Sequence, residues 1–263
     1  MKTIISILLV CFSGKGFSQN IDIKRKWIDE NLSAISIDSQ TVYLDIFGRY
    51  PTQNNYYLLK DTLRLYKKYT TSTDNFATQR VRTYDFILTN LTERTLTLIA
   101  IDSNSLLLTG GVKTIHFRDR STLEPSDIQF DKIIFKATSC FGECPVMTLQ
   151  IDRQKKLKFI GGRYSVKEGF YTAALPDSLF QLLIGILAIS DVDKLKSPGL
   201  KIFDAPEYTL EIHYNGKVKY LNTVLLPAIS HELLAYLLDI SKKVTLKPSK
   251  PFNIKFSKAA ESN

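Results

Sequence analysis

The sequence predicts a two-part α+β chain: an antiparallel β meander or barrel, then an antiparallel sheet covered on one face by two helices. Three observations predict it. Between Gln40 and Arg120, short segments rich in β-branched and aromatic residues follow one another with turn signals between them. After Pro176, and again after Pro227, the apolar period changes from that of a strand to that of a helix. Asn215-Gly216 stands between two alternating runs, the strongest short hairpin signal.

The first part opens on TVYLDIF (41–47), which alternates. YYLL (56–59) and TLRLYKKY (62–69) flank Lys60-Asp61, a two-residue turn. Along the second of these, Leu63 and Leu65 fall on one face and Arg64 and Tyr66 on the other, as in a half-buried strand. A polar loop (70–79) leads to VRTYDFILTNL (81–91) and TLTLIAID (95–102), joined at Thr92-Glu93-Arg94. SLLL (105–108) and VKTIHFRD (112–119), separated by Gly110-Gly111, read as a further strand pair. Roughly six to eight such strands suggest a barrel or sandwich.

Glu124-Pro125-Ser126-Asp127 reads as a linker, and the second part follows it. DKIIFKATS (131–139), VMTLQI (146–151), KLKFIGG (156–162) and YSVKEGFYTAAL (164–175) are strand segments. Pro176-Asp177-Ser178 starts a helix with the stripe Leu179, Leu182, Leu183, Ile186, Leu187 and Ile189. YTLEIHY (208–214) and KVKYLNTV (217–224) form the Asn-Gly hairpin. Pro227 opens a last helix carrying Ile229, Leu233, Leu234, Leu237, Leu238 and Ile240. The resulting division is 1–18 leader, 19–122 β-rich domain, 123–130 linker, 131–246 α+β domain and 247–263 basic tail. The tail, KPSKPFNIKFSKAAESN, is read as mobile and without periodicity.

The amino terminus has the layout of a secretory leader. Lys2 precedes the uncharged run TIISILLVCF (3–12), and Gly16-Phe17-Ser18 supplies small residues for cleavage before Gln19. The run is too short to span a bilayer, which takes about 20 apolar residues. A lipoprotein reading on Cys11 meets Val10 where a small residue is needed. Export to the periplasm, the cell envelope or the exterior is therefore expected. Loss of Lys2 and Lys15 would lower the formal net charge from +9 by two. The remaining positive charge gathers at Lys24-Arg25-Lys26, along 153–167 and in the tail. No nucleic-acid module accompanies it, so a solvated face or an anionic envelope polymer is the expected partner, and not nucleic acid. No later stretch has the length and apolarity of a transmembrane helix.

After cleavage two cysteines would remain, in SCFGECPV (139–146). Extended, Cys140 to Cys144 would span over roughly 13 Å, whereas a disulfide needs Cα atoms within about 7 Å. The segment must double back; Gly142 offers backbone freedom, and Pro145 biases Cys144 toward an extended conformation. Phe141, Gly142 and Pro145 are thus read as loop-shaping residues around a Cys140–Cys144 staple. A ring this small contributes about 2 kcal/mol in the chain-entropy picture. The competing reading is a thiol–disulfide redox centre, although the spacing is not Cys-x-x-Cys and the flanks are strands. A metal site would need two more ligands, and His116, His213 and His231 form no spaced pair. No metal or other cofactor is expected.

No hydrolase, phosphate-loop or metalloprotease motif is present in the sequence. Asp191 and Asp193 read as a helix C-terminal turn. Asp204 and Glu207, beside Pro206, are the best acid/base candidates, with turn chemistry as their alternative. A non-enzymatic binding protein is the expectation.

Two resemblances add to this. KRKWIDENLS (24–33), followed by hairpins ending YDFILTNLTERTLTLIAID (84–102), resembles the small lipocalin-like β domains of bacterial envelope proteins. That resemblance implies a barrel whose floor Trp27 closes. A ligand there would meet Trp27, Tyr43, Tyr57, Tyr66 and Tyr84 if the barrel is open; a filled barrel with an exposed apolar patch would favour protein partners. IIFKATSCFGECPVMTLQID (133–152) resembles a bacterial envelope domain family of unknown function with a Cys-Phe-Gly-x-Cys-Pro signature, apart from Met147 where many relatives have an aromatic. It implies a fold and an envelope setting, and no activity.

Overall fold

The computed structural model describes residues 22–257, so the leader and the last six tail residues lie outside it. The first half is a closed barrel of eight antiparallel strands in chain order. These are β1 (Lys26–Ile28), β2 (Ala34–Ile37), β3 (Thr41–Asp45), β4 (Thr52–Leu59), β5 (Thr62–Tyr69), β6 (Arg80–Thr89), β7 (Thr95–Ala100) and β8 (Thr114–Asp119). Closure comes from β1 pairing with β8, Trp27 opposite Asp119 and Ile28 opposite Arg118. A meander closed this way leaves no unpaired strand edge. Trp27, Ile35, Val42, Leu44, Leu63, Leu65, Phe86, Leu96, Leu98 and Phe117 fill the interior, and the Trp27 indole N–H donates to the Ile23 carbonyl at 3.0 Å.

One segment differs from expectation. SLLL does not form a strand; Ser103–Leu108 is a short helix, α1. The Asp102 carboxylate accepts from the Ser105 N–H at 2.7 Å while Ser105 Oγ accepts from the Asp102 N–H, a reciprocal cap that outweighs the strand-like look of three leucines.

The second half is a seven-stranded antiparallel sheet in the order β14-β13-β9-β10-β11-β12-β15. Its strands are β9 (Phe130–Ala137), β10 (Met147–Asp152), β11 (Lys156–Gly161), β12 (Gly169–Ala174), β13 (Tyr208–Tyr214), β14 (Lys217–Thr223) and β15 (Lys247–Pro248). Asn215 and Gly216 both take positive φ, as a tight two-residue hairpin turn requires. Helices α2 (Asp177–Ala188) and α3 (His231–Lys243) cover one face. α2 buries Phe180, Leu183, Ile186 and Leu187; Leu182, assigned to the stripe from spacing, points to solvent, because the buried face is centred on Phe180 and Leu187. Beneath the helices lie Ile133, Phe135, Leu149, Ile151, Leu157, Phe159, Leu210 and Ile212. Among the described residues no helix is long and apolar enough to cross a membrane.

The expectation of a mobile tail from residue 247 is corrected for 247–257. Lys247–Pro248 pairs with the β12 edge, and the chain then crosses the helix-free face of the sheet. Phe252 packs edge-on against Phe170 at 5.6 Å between centroids, Phe256 against Tyr220 at 6.3 Å, and the Ser257 N–H donates to Glu211 at 2.8 Å. The physical reason is an overlooked alternation: Phe252, Ile254 and Phe256 sit at every second position and are half-buried, while their neighbours are exposed. Ile134 and Glu211 are fully buried on that face.

The segment 123–130 is a connection with fixed contacts: Leu123 and Ile128 pack on the second core, and both the N–H and the hydroxyl of Ser126 donate to the Ala188 carbonyl at the end of α2. The two halves share apolar packing. Ile28, Leu32 and Ala34 of the barrel belong to the core of the helix-covered sheet, and Phe47 packs against it. Each fully buried Ile or Leu there stabilises by about 2 kcal/mol relative to exposure.

Replacing Phe252 and Phe256 together with alanine should lower urea-unfolding stability by about 2 kcal/mol, since two half-buried rings are removed. A change below about 0.5 kcal/mol, the range of ordinary surface substitutions, would mean that the segment does not rest on the sheet.

Candidate functional site

Cys140 and Cys144 are joined, with Cα atoms 5.6 Å apart. The loop they close lies between β9 and β10, at the end of the sheet where β11 and β13 also carry loops. Backbone bonds tie it to the segment before β13: Phe141 N–H donates to the Asp204 carbonyl at 3.0 Å, and Thr138 N–H to the Glu207 carbonyl at 3.0 Å. Gly142 does not have the role assigned from sequence. It is absent from the positive-φ residues, and a Cβ there would meet only the Cys140 sulfur, at 3.8 Å. The loop turns without left-handed backbone at its centre; Asp204, on the partner loop, is the residue at φ 61°.

The loop's most prominent side chain is Phe141, 89% exposed, and Phe203 beside Asp204 is 91% exposed. Tyr164 and Val166, in the β11–β12 connection at the same end, are exposed as well. Exposed apolar side chains on three neighbouring loops thus form a rim at the disulfide end of the sheet. Pro145 is half-buried ahead of β10. The basic turn at 153–155 is at the opposite end of β10, so it does not supply an electropositive setting for the sulfurs.

Asp204 and Glu207 are both exposed. Glu207 accepts from the Asn222 amide, and its N–H donates to Thr138 Oγ1 at 2.8 Å, which is turn and strand-end bonding. Asp193 accepts from the Tyr214 hydroxyl at 2.7 Å and from Lys217 at 3.1 Å, fixing the chain after α2. The three histidines stand apart: His116 bonds Thr97, His213 bonds Glu211, and His231 bonds the Leu226 carbonyl. Among the described residues no group of three or more His, Cys, Asp or Glu has metal-binding geometry.

The aromatic candidates divide by strand register. Trp27 and Tyr84 face the barrel interior, Tyr84 lying opposite Leu65. Tyr43 faces outward opposite Ser36. Tyr57 and Tyr66 meet on the outer wall at 5.8 Å, where Arg64 lies over Tyr57 and holds Asp85 through two bonds of 2.6 Å. The five do not line one cavity.

A cluster not singled out from the sequence occupies the seam between the halves. Asp45, only 4% exposed, has one carboxylate oxygen without a hydrogen-bond partner. Burial pushes its pKa up to about 6 against the pull of the Ala228 N–H and Lys26. Lys26 donates to the Ala228 carbonyl at 3.2 Å; burial and then the Arg120 charge lower its pKa, partly countered by Glu232 and Asp45. His231, 3.8 Å from Asp45, is likewise lowered by burial first, with Lys26 and Arg120 adding to it. Arg120, 8% exposed, pairs with Glu232 at 2.6 Å. The alternation of TVYLDIF puts Asp45 outside the barrel, so its burial by the second half left no mark in the local pattern.

Two tests follow from this geometry. Gly142→Ala should leave stability within about 1 kcal/mol of wild type by chemical denaturation, whereas Gly161→Ala, whose Cβ would fall 1.9 Å from the Lys167 carbonyl, should destabilise strongly. Equal tolerance at both would refute the loop geometry. Because the folded-state pKa of Asp45 lies above its unfolded value, its contribution is fully present below about pH 4 and is lost as pH rises through about 6. Up to about 3 kcal/mol is involved. The stability of Asp45→Asn relative to wild type should therefore rise between pH 4 and pH 7; a pH-independent difference would contradict this.

Residues 131–241, from β9 into α3, match the model of a family described as a domain of unknown function (DUF6438). No curated protein and no solved structure matches the chain. The segment from 131 to 241 is thus similar to an uncharacterised domain and spans the disulfide loop and both helices.

Proposed function

We propose that the protein is an exported, non-enzymatic envelope protein that binds a protein partner through the aromatic rim around the Cys140–Cys144 loop. The observation that carries this reading is the pair Phe141 and Phe203, both about nine-tenths exposed on two loops bonded to each other. Large exposed apolar groups gathered at one place mark interaction surfaces more often than scattered single ones do, and aromatic anchors dominate binding energies. The disulfide restricts the loop before binding, which reduces the ordering cost of association. The filled barrel favours a protein partner over a small ligand carried inside it. The lipocalin-like resemblance, the Cys-Phe-Gly-x-Cys-Pro pattern and the amino-terminal leader pattern are what support an envelope setting.

The test is a photo-crosslinking residue at position 141 in cells of the native host, followed by fractionation. The expected result is one discrete adduct in the envelope fraction, at least fivefold weaker when Phe203→Ala is added, and absent with the crosslinker at exposed Lys156 at the other end of the sheet. Adducts of equal yield at both positions, or none, would overturn the proposal. A partner trapped through a mixed disulfide in a Cys144→Ala variant would instead support a thiol–disulfide role.

A further inference from the structure

Where β1 and β8 close the barrel, a 3-10 turn at Arg120–Thr122 leads the chain toward the second sheet. Between the barrel end, this turn and the start of α3 lies an open cleft of about 970 Å³. Four cations line it, Arg25, Lys26, Arg94 and Arg120, together with Asp119, Glu124 and Glu232. Two of the carboxylates are already matched. Asp119 takes the Arg25 guanidinium at 2.7 Å and the N–H and hydroxyl of Ser121, while Glu232 takes Arg120 at 2.6 Å. Glu124 is exposed at the mouth.

What remains is positive. Among the described residues neither Lys26 nor Arg94 forms an ion pair. Arg120 donates to Glu232 and to the Ile229 carbonyl, yet its Nε–H has no partner although the side chain is more than nine-tenths buried. Lys26 and Arg120 are close enough for one to disfavour the charge of the other. Two unpaired cations, Lys26 and Arg94, lining one cleft match a doubly charged, multi-acceptor anion better than a single carboxylate.

We propose that this cleft binds a phosphoryl group, with Lys26 and Arg94, the two lining cations that form no ion pair among the described residues, opposing its two charges. The cleft volume also has room for the organic part of a phosphate monoester. The site is separate from the aromatic rim, so its failure and the failure of the partner-binding reading are independent.

Calorimetric titration of the full mature chain tests this with three probes: inorganic phosphate, glycerol 3-phosphate and vesicles containing phosphatidate, each at constant ionic strength. Saturable binding of a soluble probe, or of the vesicles alone, would support the site and identify the source of the phosphoryl group as free or lipid-borne. Arg94→Gln, a change at an exposed side chain, and Lys26→Gln should each weaken that binding at least tenfold, while Lys247→Gln at the far sheet edge should change it less than twofold. Binding that chloride at equal ionic strength abolishes, or that all three variants weaken equally, would overturn the proposal. So would no binding to any of the three probes.

Discussion

The packing of Ile28, Leu32 and Ala34 into the core of the second sheet is the constraint on which the rest of the molecule depends. These residues lie on β1, on β2 and in the loop between them, where Leu32 takes a φ of 69° and the Asp29 carboxylate accepts from the Asn31 and Ser33 N–H groups. The loop thus presents a leucine outward from the barrel at a position where solvent would otherwise meet it. A leucine left exposed would forgo about 2 kcal/mol, and the second half provides the apolar cover. The barrel therefore has two cores to satisfy, its own around Trp27 and the one it shares.

That shared packing has an electrostatic consequence. Bringing the halves together places Asp45, Lys26, His231, Arg120 and Glu232 in one seam, where all but the half-exposed Glu232 lose water and are partly compensated by their neighbours. Burial of charge is costly unless paired, and the pairing here is incomplete, with one Asp45 oxygen and the Arg120 Nε unpartnered. The cleft beside the seam inherits the surplus of positive charge. Around the disulfide loop the situation is reversed: apolar rings stand in water with no cover from the chain's described residues. The cleft is thus suited to anions and the disulfide loop to an apolar partner, while the Phe252–Phe256 segment packs on the helix-free face of the sheet.

Strands announced themselves wherever one face is buried and the other wet, as in TLRLYKKY and TIHFRD, because the period-2 pattern is local. The hairpin turn at Asn215-Gly216 was readable for the same reason. SLLL was misread because an apolar triplet carries no period, and only the capping pair Asp102 and Ser105 distinguished it. In the tail the alternation of Phe252, Ile254 and Phe256 was present but diluted by lysines and prolines. The cysteine pairing followed from chain geometry, whereas the role given to Gly142 did not survive, since spacing does not determine which residue bends the loop. The seam residues were invisible for a deeper reason: their burial is produced by contact between residues 112 to 202 positions apart, and no window along the sequence contains both sides.

The most direct test of this account is whether the two halves unfold as one. Trp27, the sole tryptophan, reports on the barrel by fluorescence, and ellipticity at the helical wavelength is dominated by α2 and α3. Equilibrium urea unfolding followed by both signals should give coincident transitions, shifted together to lower urea by Leu32→Ala, which removes about 2–5 kcal/mol of shared packing. Separate midpoints, with Leu32→Ala moving only the fluorescence transition, would show that the barrel and the sheet are energetically independent and would contradict the central place given to their common core.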